Sequence, residues 1–486
     1  MPRPFAHRPR RRRRAVAATL TAVAVIAAPA QGGDRRITGS ISQSVLGDTN
    51  VQLDRDSGGS LGSITRLGLS YSDRTPTAAL SLGTAFSYSA FTGSDNDNIS
   101  GLYPSLNGSY VVRRSTQSLG VSFNASWRPV DFFRNTALVL DPLDPGDDDP
   151  VDPGDGDDGE DPGDGGQDPI DPGDPGDGID DIPPDERGRA RDEGERITFG
   201  AGINYNAQLT ARDNLFAGFN ATRVDYINTG AGANLIPYTR FSFNTGLRRT
   251  FRDRLNGGLV ANASYYMEDG GRNREVFSFA LTPTASYRRT PRESYTFTLG
   301  PSFNYETFDL AGGGQDSNTS ISLRGAIGAT YAGDWATYAV NLSQSLQPAS
   351  RGGELVNYTR LSFTSTRRLT QTSSLNGRLL VGYKQPLDDS SNTENRTDVL
   401  ASLNFQQRVN TFNSYNLGIF FDFDGEDPTD EATVGLNAGW NYRIAQRTTA
   451  RIGYTGRLRS ETGGGGDDFG SHRIQLTLSH GFTLLP

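Results

Sequence analysis

From Glu293 to Tyr305 the chain reads ESYTFTLGPSFNY. Tyr295, Phe297, Leu299, Pro301, Phe303 and Tyr305 fall on one face, and Ser294, Thr296, Thr298, Gly300, Ser302 and Asn304 on the other. A period of two predicts a β-strand with one apolar and one small polar face. The pattern recurs through Ile197, Phe199, Ala201, Ile203 and Tyr205, and again through Val434, Leu436, Ala438, Trp440 and Tyr442. These runs extend over about twelve to fourteen residues, where soluble strands have roughly 5–6 and a tilted bilayer-crossing strand needs roughly 9–11.

Between the runs lie two kinds of connection. Short polar ones centre near Pro76, Arg114, Arg212, Asp253, Pro291, Gly333, Thr370, Asn410 and Gln446. All but one of the intervals are close to forty residues, the length of two strands and two connections. Longer ones rich in Gly, Asp, Asn and Ser, such as TGSDNDNIS and ETGGGGDDFG, alternate with them. Short turns on one side and long loops on the other define an all-β, single transmembrane antiparallel up-and-down β-barrel. Closure is required because lipid offers no partner for an open sheet edge. Two strands at each short turn and one at each end give 20 strands, or 18 if the first region stands outside the wall. The expected location is the cell outer membrane, with lipid and lipopolysaccharide around the apolar face.

The exceptional interval runs from Arg114 to Arg212. Subtracting one ordinary repeat leaves an insertion over 131–195, flanked by ordinary strands near Thr116–Val130 and Arg196–Thr210. Its core, DPGDDDPVDPGDGDDGEDPGDGG, cannot bury enough apolar surface to fold. It therefore reads as a long disordered external loop interrupting one barrel over 31–486. A linker between two barrels is the alternative, but the five strands before it cannot close alone. From Asp141 to Glu186 there are 20 acidic residues and no basic one. Asp147, Asp148, Asp149, Asp155, Asp157 and Asp158 offer oxygens for weak, nonspecific Ca²⁺ binding. The spacing of a dedicated calcium loop is absent, and no other cofactor is expected.

Composition narrows the class further. Without cysteine, disulfides, thiolate metal sites and a cysteine nucleophile are excluded. Residues 1–30 carry seven arginines, an apolar run from Ala15 to Ala28 and an Ala-Pro-Ala cleavage pattern, as in a secretory signal peptide. Setting aside the 20 loop acids and the seven leader arginines leaves 36 acids against 40 bases, so the acidic balance belongs to the loop.

Alternation places Arg324, Arg378, Lys384, Arg451 and Arg457 on the inner face, with Asp398 and Asp422. Such charges would tune ion selectivity in an open lumen, or would be salt-bridged wall residues with no role in permeation. Tyr295, Phe297, Phe303, Tyr305, Trp440, Tyr442 and Phe482 are the lipid-facing girdle candidates. An enzyme is not expected. The two histidines after the leader, His472 and His480, lie on or beside the last strand, and His480 shares the apolar face of Ile474, Leu476 and Leu478. No phosphate-binding loop, zinc signature or nucleic-acid module is present.

The final segment, RIQLTLSHGFTLLP, is similar to the C-terminal recognition strand of outer-membrane barrels, which implies the barrel-assembly machinery as a partner. It departs from that pattern in following Phe482 with Thr-Leu-Leu-Pro. The stretch ITGSISQSVLGDTNVQLD, with its GDTNVQL motif, resembles the porin-like barrels encoded with exopolysaccharide-export systems of Gram-negative bacteria. That resemblance implies a whole-chain barrel fold and transfers no functional residue. Two functions remain open from sequence. One is a porin-like channel passing small hydrophilic solutes, anionic or saccharide. The other is a non-conducting structural or surface barrel, associated with exopolysaccharide export or cell-surface organisation, whose acidic loop binds cations or surface polymer. Oligomeric state is not readable.

Overall fold

A computed structural model describes residues 34–50, 59–92, 100–129, 194–229, 236–269, 273–309, 314–348, 355–386, 395–426, 429–462 and 468–485. They form one antiparallel sheet of 20 strands. The first seven are β1 (Asp34–Asp48), β2 (Ser60–Arg74), β3 (Ala78–Phe91), β4 (Gly101–Arg114), β5 (Gln117–Pro129), β6 (Glu195–Gln208) and β7 (Asp213–Ile227). Next come β8 (Tyr238–Arg252), β9 (Leu255–Glu268), β10 (Glu275–Thr290), β11 (Glu293–Asp309), β12 (Gln315–Ala332), β13 (Ala336–Pro348) and β14 (Leu355–Arg368). The wall ends with β15 (Ser373–Pro386), β16 (Arg396–Arg408), β17 (Asn413–Glu426), β18 (Thr429–Ala445), β19 (Thr448–Thr462) and β20 (Asp468–Leu485).

Each strand pairs with its chain neighbours, and β1 pairs with β20 from Ile37↔Leu485 to Asp48↔Arg473. The sheet is thus a closed barrel without an edge, the one β-arrangement that satisfies its backbone in lipid. The count is 20, so the first region belongs to the wall and the 18-stranded alternative is excluded. Following the register once round the ring returns to β1 about 24 residues from the start, a stagger that goes with strands tilted by roughly 35–45°. The flanks of the long insertion are β5 and β6, paired from Gln117↔Ala207 to Pro129↔Glu195. The acidic residues between them, including all six candidate calcium ligands, lie outside the described residues, as does the leader.

The short turns are built by local chemistry. Thr210 Oγ1 accepts from the backbone N–H groups of Arg212 and Asp213 at 3.1 and 3.0 Å. Asn410 Oδ1 does the same for Phe412 and Asn413, both at 2.8 Å. Thr370 Oγ1 repeats the first bond, to Thr372 N at 3.2 Å. A short polar side chain that bonds backbone two or three residues on substitutes for a missing strand partner and reverses the chain. Tighter turns at Asp253, Pro291 and Gln446 are flanked by register shifts at Thr250/Arg252, Arg288/Thr290 and Arg443/Ala445. These bulges lie at the barrel rim, where they increase local twist.

The outer face is apolar and exposed: Phe297, Phe303 and Leu299 are 42–44 % accessible, and Ile321 reaches 77 %. In water such a belt would drive aggregation; in acyl chains it is the solvated surface. Tyrosine and tryptophan mark its short-turn margin, where Tyr287 opposes Tyr295, Tyr331 opposes Tyr338 and Tyr415 opposes Trp440. Phe277 opposite Tyr305 marks the other margin. The strands therefore carry a membrane belt with two aromatic borders, as expected of a protein of the outer membrane.

Candidate functional site: the inner wall

The alternate residues of every strand face inward, and they divide into two bands. Near the loop-side rim the charges are paired. Lys384 Nζ lies 3.4 Å from Asp398 Oδ2, and Arg396 Nε lies 3.1 Å from Asp398 Oδ1 while its other arm reaches Asp424. Lys384 also sits 5.8 Å from the centre of the Tyr358 ring. Arg274 Nε lies 2.5 Å from Glu306, and Arg459 pairs with Glu431.

The tightest group joins the first and last strands. The Asp48 side chain is fully buried. Its carboxylate accepts from Arg473 Nε at 2.7 Å, Ser471 Oγ at 2.7 Å and Arg457 Nη2 at 3.5 Å. A buried carboxylate is tolerable only when its lone pairs are satisfied in this way. Three strands, β1, β19 and β20, are tied at one point.

Lower on the wall the character changes. Inward asparagines lie across the strand from glycines: Asn107 on Gly83, Asn124 on Gly200, Asn220 on Gly202, Asn244 on Gly218, Asn437 on Gly418 and Asn416 on Gly439. The amides lie so close that a Cβ on those glycines would collide with them. Each amide is thus laid along the wall instead of projecting from it. The result is a lumen-facing surface rich in neutral donors and acceptors. Threonines and serines of β10 and β11, such as Thr284 opposite Thr298, continue it.

Arginines interrupt this band, among them Arg66 opposite Ser42, Arg324 opposite Gly300 and Arg451 opposite Thr477. No carboxylate pairs with any of these three among the described residues. Arg248 stands 4.7 Å over the Phe216 ring on the same face.

The seven inner-face candidates therefore separate. Lys384, Asp398 and Arg457 belong to the paired rim. Arg324 and Arg451 belong to the unpaired band. Arg378, between Thr364 and Ser402, and Asp422, between Leu400 and Thr433, are on the inner face as well. Of the seven girdle candidates, Tyr295, Phe297, Phe303, Tyr305, Trp440 and Tyr442 are 41–46 % accessible on the outer face. Phe482 is on that face too, half-buried with its ring against Gly39. The two histidines face outward with one partner each: Tyr454 Oη lies 2.9 Å from His472 Nδ1, and Thr448 Oγ1 lies 2.9 Å from His480 Nδ1.

Sequence reasoning missed Asp48 and the asparagine–glycine pairs. Alternation assigns a face, but pairing an Asn with a Gly, or Asp48 with Arg473, requires the register between strands.

No known protein family matches the chain, and no curated protein matches it in sequence. Solved structures do match in shape. The ferric-catecholate import receptor Fiu from E. coli K12 superposes with a TM-score of 0.50 at 10 % identity, over 91 % of this chain and 81 % of that one. The siderophore receptor PirA from Pseudomonas aeruginosa gives 0.45 at 10 % identity, over 92 % and 80 %. A BenF-like porin from Pseudomonas fluorescens Pf-5 gives 0.43 at 9 % identity, over 93 % of this chain and 99 % of that one. The Fiu likeness agrees with the closed barrel and apolar belt described above: the chain folds as an outer-membrane β-barrel.

Proposed function

We propose that this barrel is a porin-like channel for passive diffusion of small hydrophilic solutes, with a preference for anions. The observation that carries this reading is the set Arg66, Arg324 and Arg451, none with a carboxylate partner among the described residues, on a band of the inner wall rich in amides and hydroxyls. A 20-stranded wall exceeds the 16–18 strands that already enclose an aqueous channel. Fixed positive charge in a confined path lowers the barrier for anions and raises it for cations. None of the structural neighbours lends its cargo to this chain, because their likeness concerns the fold.

The test is single-channel conductance of the refolded protein in a planar bilayer, with and without residues 141–186. Steady conductance in both forms is expected, and the loop is then an accessory. Conductance only after deletion makes the loop a gate.

One observation favours the non-conducting alternative. Leu380 and Leu400 are cross-strand partners facing inward on β15 and β16, Phe420 faces inward on β17 one inward position away, and the three are only 1, 7 and 6 % accessible. An apolar inner patch suits a filled lumen, with a surface role for the barrel near exported polysaccharide. Silence in both forms, from protein shown to be folded, would select that reading.

A further inference from the structure

The ring of strands has one seam that stops short. β12 and β13 are joined by eight residue pairs, from Ala332↔Thr337 to Gly325↔Gln344. The register would continue as Arg324 with Ser345, Leu323 with Leu346, Ser322 with Gln347 and Ile321 with Pro348, and none of these pairs forms. Both strands run on without each other. β12 stays with β11 as far as Asp309↔Gln315, and β13 stays with β14 as far as Pro348↔Leu355. The next shortest junction, β4 with β5, has ten pairs and stops beside Pro104, which has no N–H to give. Pro348 likewise offers no N–H opposite Ile321, but Leu323 and Leu346 carry both backbone groups and still stand apart. Four missing rungs leave a slit about 13 Å long on the loop side of Gly325.

The slit lies in the membrane belt. Ile321 is ten residues from Tyr331 on the short-turn border, about 33 Å along the strand and about 25 Å in height at the usual tilt, the height of the apolar band. Ile321 is 77 % accessible, the highest value of any large apolar side chain among the described residues, and Leu323 is exposed beside it. Ala332 donates to Arg292 on the β11 side at 2.8 Å. By alternation the N–H and C=O groups of Ile321 and Leu323 point the other way, into the slit. Their N–H groups have no partner among the described residues. Unpaired backbone at the level of acyl chains is costly, so its presence points to an occupant that brings an acceptor. The two faces of the slit differ. Outward it is bordered by Ile321, Leu323 and Leu342, and inward by Ser322, Ser343 and Arg324. Arg324 is the first residue beyond the last pair; it is exposed and has no carboxylate partner among the described residues.

We propose that the slit between β12 and β13 binds a single-chain anionic amphiphile, of the fatty-acid class, with its head group on the lumen side and its tail among the acyl chains. The carboxylate would take the Arg324 fork, in the charge-assisted pairing that arginine suits best, and accept from the Leu323 N–H. The tail would lie along Leu323, Ile321 and Leu342. A hydrophilic solute gains nothing from the apolar border, and a neutral lipid gains nothing from the arginine. A strand from another chain would satisfy the same backbone edge. It would leave the cation at the foot of the slit without an anion, and this charge favours the amphiphile. The inference goes beyond the channel reading and does not rest on it, because the slit can hold an amphiphile whether or not the lumen conducts.

The experiment uses the refolded full chain in phosphatidylcholine vesicles at alkaline pH, where a bound fatty acid is ionised. The vesicles are irradiated with palmitate carrying a photoreactive diazirine in its chain, or with the methyl ester of the same compound, and cross-linked residues are mapped by mass spectrometry. Palmitate is expected to label 319–324 and 342–346 at least about tenfold above the other strands of the belt, and above the ester at the same site, the scale of one charge-assisted hydrogen bond. Arg324→Gln should lower that labelling by about tenfold or more. Ser345→Asp keeps the arginine but sets a carboxylate across the slit from it, and should lower the labelling likewise. Heat-dependent migration on a gel checks that each variant folds. Labelling spread evenly around the belt, equal labelling by the ester, or seam labelling unchanged in both variants overturns the assignment. Cross-links from 319–324 to a second copy of the chain also overturn it and give the edge to strand pairing between barrels.

Discussion

The two bands of the inner wall use the same residue in opposite ways. At the rim, Arg473, Arg396 and Arg459 each face a carboxylate from another strand. In the middle, Arg66, Arg324 and Arg451 face glycine, serine or threonine. A paired arginine has its field cancelled within a few ångströms and serves the wall. An unpaired one projects its field into the lumen and serves whatever passes. Inward-facing charge is therefore not in itself a sign of solute contact; the partner across the strand decides.

The most disruptive test of this distinction is Asp48→Asn. It leaves two buried guanidinium groups without their anion, and breaking a buried pair costs about 3–5 kcal/mol. The folded barrel should convert to the slow-migrating, heat-denatured form on a gel at a clearly lower temperature than the parent. Arg324→Gln, by contrast, should shift that conversion by no more than about 0.5 kcal/mol of stability. Equal effects from the two substitutions would erase the distinction between bands.

Glycines of the middle band sharpen it at smaller scale. Gly439→Ala drives a Cβ into the Asn416 amide and should destabilise by about 1–3 kcal/mol, as overpacking does. Gly453→Ala meets open space and should stabilise by about 0.4–1 kcal/mol by restricting the unfolded chain. Urea midpoints of the two variants in lipid should move in opposite directions, and movement in the same direction would count against the packing described. Least of all is the effect of salt on the wall itself. Raising ionic strength from 0.1 M to 1 M shortens screening from about 10 Å to about 3 Å. Anion preference of the channel should fall, while the gel conversion temperature, set by buried rim pairs, stays nearly constant.

Much of this architecture is legible in the sequence, and the limits of legibility have a physical origin. Period-two runs fix the face of each residue, so Arg324, Lys384 and Tyr295 can be assigned inward or outward without a structure. Short turns also fix register. The tight reversal that pairs Arg114 with Gln117 is enough to set Tyr110 opposite Val121. Long loops carry no such constraint. Asn124 reaches Gly200 across the long insertion joining β5 to β6, and that register follows from packing, not from turn chemistry. Asp48 and Arg473 are 425 residues apart and meet only because the barrel closes. Hence the strand count and the faces could be read early, while the ion-pair seam and most of the asparagine–glycine pairs could not.

The most direct test of the central claim is the reversal potential across a potassium chloride gradient, in planar bilayers, for the parent and for a variant carrying Arg66→Gln, Arg324→Gln and Arg451→Gln together. The account predicts an anion-selective parent and a variant that folds equally well, conducts, and has lost most of that selectivity. A parent without anion preference, or a variant whose reversal potential is unchanged, would contradict it.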